Sequence, residues 1–284
     1  MLSSPTPLRV IALAAVFTTT LAACSRSALQ SASDNFFSSA FSKGSFAIAP
    51  NAKITQDNKL YKNLDETIHG NMMNFARPLQ ISALDVDTCN VGTYAIPTEG
   101  TADKNEIAMA SVRLNLNDNS NQVEEVEILN ILRSSFILFA PRMLPEKPSA
   151  MWKQAQNSSR SLSRADLLDI LDSYPTGIQA GEGAIAKVAT DCVRYENGFR
   201  MPIKCNDLFA AFKWPVTNRR WYIDTQTGTA LGAFYFDNAA KFEMGIPGLW
   251  LHEYMKVEDG AIKEIIAGMI SWPGNFTDAW KGNV

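Results

Sequence analysis

The chain has 284 residues, 46% of them hydrophobic and 19% charged. At about 100–200 residues per domain, that suffices for one large core or two modest ones. With 26 basic and 29 acidic residues the net charge is -3, so no basic excess is available to neutralise phosphates and nucleic acid is excluded as a partner class. Low charge together with 10% aromatic residues also excludes a disordered chain.

The first predicted element is an address. Met1–Arg9 ends in a positive charge, Val10–Thr20 is apolar or small, and Leu21-Ala22-Ala23 supplies small residues before a cut. The apolar run is shorter than the ~20 residues that span a bilayer. Leu21-Ala22-Ala23-Cys24 resembles the lipobox of bacterial lipoproteins. That resemblance implies loss of residues 1–23, lipid on Cys24, and, with Ser25 next, an outer-membrane address facing the periplasm. Several acyl chains would make the anchoring stable. A plain secreted protein is the other reading. The compartment is oxidising, so a disulfide is permitted. Cys192 and Cys205 are the candidate pair, with Cys89 left free. Three reduced, buried cysteines are the alternative. No spacing reads as a zinc site, and two histidines exclude a His-rich metal centre, so no metal is expected.

Beyond the leader the elements recur at a spacing of roughly 139 residues. A helix over Ser27–Phe41 matches one over Ser163–Ala180, in which Ser163 and Asp166 form an N-terminal capping pair and Phe36 corresponds to Tyr174. A strand at Ile54–Asn58 matches Val193–Asn197. A second helix at Leu64–Phe75 matches Cys205–Phe212. Val86-Asp87-Thr88 matches Ile223-Asp224-Thr225. A hairpin over Val112–Ile128 matches Glu253–Ile266, turning at Asp118-Asn119 and Asp259-Gly260. Residues 24–140 and 162–284 are therefore expected to be two similar α+β domains. The proline- and serine-rich stretch 141–161 is expected to be a linker.

A kinked helical layer wrapped by a curved antiparallel sheet resembles the cone of the SnoaL-like, or NTF2-like, superfamily, over nearly all of the mature chain. The second half is similar to a branch carrying Cys192-x-Arg194-x-Glu196-Asn197-Gly198 and Arg219-Arg220-Trp221-x-x-Asp224-x-x-Thr227-Gly228. The first half departs from it, with Thr55 read at the arginine and Asp57 at the glutamate. The resemblance implies two tandem cystatin-like cones packed as a pseudo-dimer. It also implies a pocket in the open mouth of the second, serving a cofactor-independent lyase, dehydratase or isomerase, or a non-catalytic binding module. Fold alone does not choose between these.

Candidate residues follow from that reading. Asp191, Glu196, Asp224 and His252 are the expected acids and bases. Tyr174, Arg194, Asn197 and Arg220 are the expected ligand-binding groups, because a guanidinium and a phenol hold an anion well. Strand alternation puts Arg194 and Glu196 on one face, and it allows only one of His252 and Glu253 to face the pocket. The pocket reading takes His252. Each candidate also has a structural reading: an ion pair for Arg194 with Glu196, a turn cap for Asp224, a core ring for Tyr174. His69 reads as structural, and Trp250, Trp272, Phe276 and Trp280 read as packing between the halves. No dinucleotide fingerprint or phosphate loop is present and no cofactor is expected. The expected partner is a small acidic or aromatic molecule. The alternative is a lipid-tethered scaffold built from two cones.

Overall fold

The computed structural model describes residues 24–42, 45–71, 80–95, 109–135, 138–145, 148–157, 160–237, 248–272 and 276–280. The leader expected over 1–23 lies outside them, as does the end of the helix expected over Leu64–Phe75.

The first half starts with α1 (Arg26–Ser42), which lays Leu29, Ala32, Phe36 and Ala40 against a sheet. Then come β1 (Ile48–Gln56), β2 (Lys59–Tyr61), the single turn α2 (Ile68–Asn71), β3 (Gln80–Asp85), β4 (Asn90–Ala95), β5 (Met109–Leu116) and β6 (Val123–Ile131). The second half has α3 (Arg164–Ala180), β7 (Val188–Glu196), β8 (Phe199–Arg200), β9 (Val216–Asp224), β10 (Thr229–Asp237), β11 (Gly248–Glu258) and β12 (Ala261–Ser271). The sheets run β2-β1-β6-β5-β4-β3 and β8-β7-β12-β11-β10-β9, which is one order used twice. β1 pairs parallel with β6, as β7 does with β12; the other pairings are antiparallel. The α+β class expected from the sequence is therefore the observed one, with mixed rather than purely antiparallel sheets.

Local chemistry explains the boundaries. Ser163 accepts from the Asp166 amide while the Asp166 side chain accepts from Ser163, and Gly181 ends α3 with φ +75°. Asp259 and Gly260 both take positive φ, the turn geometry that follows the twist of a two-residue hairpin. The helix expected over Cys205–Phe212 is a run of turns instead, because Leu208 sits at φ +68° and interrupts it.

Register corrects the residue matching. Asp57 N–H donates to the Ile128 carbonyl, and Asn197 N–H to that of Ala267. The Asp57 side chain accepts from Asn130 N–H, and that of Asn197 from Met269 N–H. Asp57 is thus the counterpart of Asn197, Gln56 of Glu196 and Ile54 of Arg194, one residue away from the alignment by residue type. Likewise Asp85, the last residue of β3, corresponds to Asp224, the last of β9, in place of Asp87.

Each sheet is covered twice. One face meets its own helix, giving two separate cores. The other faces meet each other in a third core, where Tyr94, Met109, Leu129 and Ile131 pack with Leu231, Tyr235, Trp250, Tyr254 and Ile266. The expected linker contributes to this layer, since Leu144 and Trp152 are buried in it. Trp272 and Phe276 pack there as well.

Two disulfides close loops, Cys192–Cys205 as one sequence reading had it, and Cys24–Cys89. The second is a correction. Cys89 is not free, and the Cys24 sulfur expected to carry lipid is already bonded.

Candidate functional site

The inner face of the second sheet holds the polar cluster of interest. On β11, Leu249, Leu251, Met255 and Val257 share the α3-facing core, and Glu253 falls in the same alternation. Trp250, His252 and Tyr254 point the other way, into the layer between the sheets. β7 directs Arg194 and Glu196 to the helix side, and α3 brings Tyr174 down onto them among Leu167, Leu171 and Ile178.

Arg194 is the hub. Its Nη1 donates to the Tyr174 hydroxyl at 2.8 Å and to the Cys205 carbonyl at 2.9 Å, and its Nε lies 3.1 Å from Glu196 Oε1. Burial opposes the arginine's charge, but Tyr174 and Glu196 outweigh it and hold the guanidinium protonated. The Cys192–Cys205 crosslink supports this arrangement, because Cys192 is two residues from Arg194 on the same strand and Cys205 supplies the accepting carbonyl. Phe209, from the same run of turns, stands edge-on to the Tyr174 ring at 5.2 Å.

Glu253 completes the cluster. It is 3% exposed, and its Oε2 has no hydrogen-bond partner among the described residues. Burial pushes its carboxyl up to about 8, Arg194 pulling it down and Glu196 adding to the rise. At neutral pH it is a protonated acid beside a fixed cation. Glu196 is also raised by burial and, at 18% exposure, forms the solvent-side edge of the group.

The first half has lost these groups. Strand register puts Val112 where Glu253 stands, since Val112 pairs with Ile128 as Glu253 does with Ala267. Ile54, Gln56 and Phe36 replace Arg194, Glu196 and Tyr174. The first half therefore has no charge at the equivalent place among the described residues. His69 packs against Phe36, with Nε2 2.9 Å from Ser39 Oγ. A hollow of about 700 Å³ on this half, beside α1, is lined by uncharged residues such as Ser31, Asn35, Ser38 and Phe46 and carries no acid or base.

Of the residues picked from the sequence, Tyr174, Arg194 and Glu196 come together. The others serve elsewhere. Asp191 is at the surface, paired with Lys263 at 2.8 Å. Asn197 spends its side chain on the backbone of Met269 in both directions. Asp224 is buried, and Arg26 donates to both of its oxygens, away from Tyr174 and Arg194. Arg220 and His252 face the opposite layer, which their bulk and polarity help to fill. There Arg220 binds both oxygens of Glu127, at 2.8 and 2.6 Å, and Arg113 Nε adds a third bond at 2.8 Å. His252 Nδ1 lies 2.8 Å from Ser111 Oγ, and burial lowers its pKa, so its ring is neutral. Glu127 is held well below the ordinary carboxylate range: burial alone would raise it, and Arg220 and Arg113 override that. Removing this one carboxylate, as in Glu127→Gln, leaves two buried guanidiniums short of a counter-charge. It should destabilise the fold by about 3 kcal/mol in denaturant melts.

Glu253 was the group the sequence reading passed over. The α3-facing register of Leu249, Leu251, Met255 and Val257 is the signal that marks it, and it is hidden because the neighbouring register of Trp250 and Tyr254 is just as apolar.

Comparison with known proteins adds a frame. Residues 160–269 match a family described as a domain of unknown function, DUF8021. No protein of curated function matches the chain. Among solved structures it is similar to a protein of unknown function with a cystatin-like fold from Methylobium petroleophilum PM1. That match has 18% identity over 40% of this chain and 82% of that one, at TM-score 0.34. It is also similar to an NTF-2 like protein of unknown function from Burkholderia xenovorans LB400, at 13% identity, 42% and 96% coverage and TM-score 0.32. A candidate ketosteroid isomerase from Kribbella flavida DSM 17836 matches at 13% identity, 40% and 84% coverage and TM-score 0.31.

Proposed function

We propose that the second half is a cofactor-independent acid–base site, of the isomerase, lyase or dehydratase class, acting on a small molecule with an oxygen that becomes anionic during reaction. The observation that carries this reading is Glu253: a carboxyl buried without a hydrogen-bond partner on one oxygen, protonated at neutral pH, beside Arg194. Tyr174 accepts from Arg194, so its own O–H is left to donate to an oxyanion. Glu253 would give a proton and take one back at carbon or oxygen. Arg194 and Tyr174 would hold the developing charge, and Glu196 would balance Arg194. The two disulfides fit an exported chain working in an oxidising compartment.

The test is hydrogen exchange. A panel of small ketones, enones and hydroxy acids is incubated with the protein in deuterated water and read by NMR. The wild type should exchange a subset of them, and Glu253→Gln should lower that rate by about 10²–10⁴-fold. Wild-type exchange by Glu253→Gln would defeat the proposal.

A second reading concerns the first half, which we take to be a scaffold packed on the second as a pseudo-dimer. Its support is a reciprocal contact: Arg26 of the first half grips Asp224 of the second, while Arg164 of the second grips Asp85 of the first.

A further inference from the structure

We infer that Cys24 is a crosslinking cysteine, and that the exported chain carries no lipid on it despite the Leu21-Ala22-Ala23-Cys24 signal. One sulfur cannot hold both a thioether to a glyceryl lipid and a disulfide, so the two fates exclude each other. Three features favour the disulfide.

The first is where Cys24 sits. It is 3% exposed, packs in the first half's core with Leu29 and Phe36, and its N–H reaches the Val86 carbonyl. An acyl-bearing sulfur would have to leave that core for a bilayer. The second is the lack of slack. Arg26 follows two residues later, opens α1, and binds both oxygens of Asp224 at 2.7 Å across the two halves. Two residues reach at most about 7 Å, so drawing Cys24 into a membrane would press the β3–β4 turn and this ion pair against the lipid surface. The third is the partner. Cys89 occupies a left-handed turn position, φ +54°, where the second half has Gly228 at φ +69°. Both residues supply the same hydrogen bond, accepting from Leu116 N–H and Val257 N–H respectively. Glycine is the undemanding choice there, and a side-chain-bearing residue costs about 1 kcal/mol. A cysteine is worth that cost if its sulfur is needed for a bond.

The chemistry balances with an ordinary exchange partner. The thiols of Cys24 and Cys89 lose two protons and two electrons in forming their S–S bond, and a small-molecule or protein disulfide accepts them and becomes two thiols. The disulfide then ties Cys24 to the β3–β4 turn, and α1 is stapled at the end that holds Arg26.

The experiment offers the protein both fates. The full chain, leader included, is produced in a Gram-negative host that processes lipoproteins. Whole cells are denatured with an alkylating agent and no reductant, and peptides are identified by mass spectrometry. The expected result is a Cys24–Cys89 crosslinked peptide without acyl groups, in protein recovered from the aqueous phase of a detergent partition. In Cys89→Ser, Cys24 should be alkylated without reductant; because labelling is done in denaturant, a folding defect does not obscure this. A diacylglyceryl group on Cys24 of the wild type, with Cys89 alkylated in the same sample, would overturn the inference. So would alkylation of both cysteines without reductant.

Discussion

Glu253→Gln should gain stability relative to wild type as pH rises from about 4.5 to about 8, because the wild-type carboxyl loses its contribution over that range. Glu253 has its carboxyl raised in the folded state by burial. Below 4.5 the carboxyl is protonated in both states and its contribution to stability is complete. Between 4.5 and 8 the unfolded chain ionises and gains hydration, while the folded chain must keep the proton or bury a charge. The contribution is lost as pH climbs through the folded value. At 1.36 kcal/mol per pKa unit the whole window is worth a few kcal/mol. Asp57, pushed up to about 6 by burial, acts with the same sign over a narrower range. Glu127, held far down by Arg220, acts with the opposite sign: its stabilisation is present above 4.5 and fades in acid. Denaturant melts of wild type and Glu253→Gln across this range separate the terms, because only the difference between the two curves belongs to Glu253. Identical slopes would mean that the carboxyl is hydrated in the folded protein, and the acid–base reading would lose its footing. Glu253→Leu should gain about 1–3 kcal/mol at pH 8, since a buried polar group without full hydrogen bonding is replaced by a fitting apolar one. Stability gained at the cost of activity is what a functional carboxyl in a core produces.

The pattern of what could be read in advance follows from the range of each interaction. The α3 cap, the Asp259-Gly260 turn and the shared face of Arg194 and Glu196 are local, so residue type and period report them directly. The recurrence of elements was legible because its order survives even where residues differ. Register was not: matching Asp87 to Asp224 by type slipped by two residues, because only the strand ends reveal that Asp85 is the counterpart. Which of His252 and Glu253 faces α3 was not legible for a related reason. A sheet covered on both faces has no polar side, and alternation then says that two neighbours diverge without saying which goes where. The aromatic packing between the halves was legible in Trp250, Trp272 and Phe276, but the polar contacts were not: Arg26 and Asp224 are 198 positions apart and nothing near either one announces the other.

Those contacts support the last expectation: Arg26→Met and Arg164→Met should each cost about 2–3 kcal/mol, in similar amounts, and their combination should deviate from the sum. An exposed ion pair is worth ~0–1 kcal/mol, and both arginines are about one-third exposed, which by itself would predict little. Their partners decide otherwise. Asp224 and Asp85 are 1% and 0% exposed, so deleting an arginine strands a carboxylate in the interior. The carboxylates are also interlocked. Asp224 accepts from Leu84 N–H at 3.4 Å, one residue before Asp85, and Asp85 accepts from Ile223 N–H at 2.9 Å, one residue before Asp224. Each half thus pins the strand end of the other, and loosening one clasp shifts the acceptor of the second. Coupling of about 0.5–3 kcal/mol between the two substitutions is the expected signature, read from a double-mutant cycle in denaturant melts. The Arg160–Asp259 pair, exposed by 72% and 66% on its two sides, is the internal control. Arg160→Met should change stability by less than about 0.5 kcal/mol. If Arg26→Met and Arg164→Met behaved like that control, or added without coupling, the two sheets would be held by the layer between them, with its Arg220–Glu127 pair, and the pseudo-dimer reading would lose its reciprocal lock.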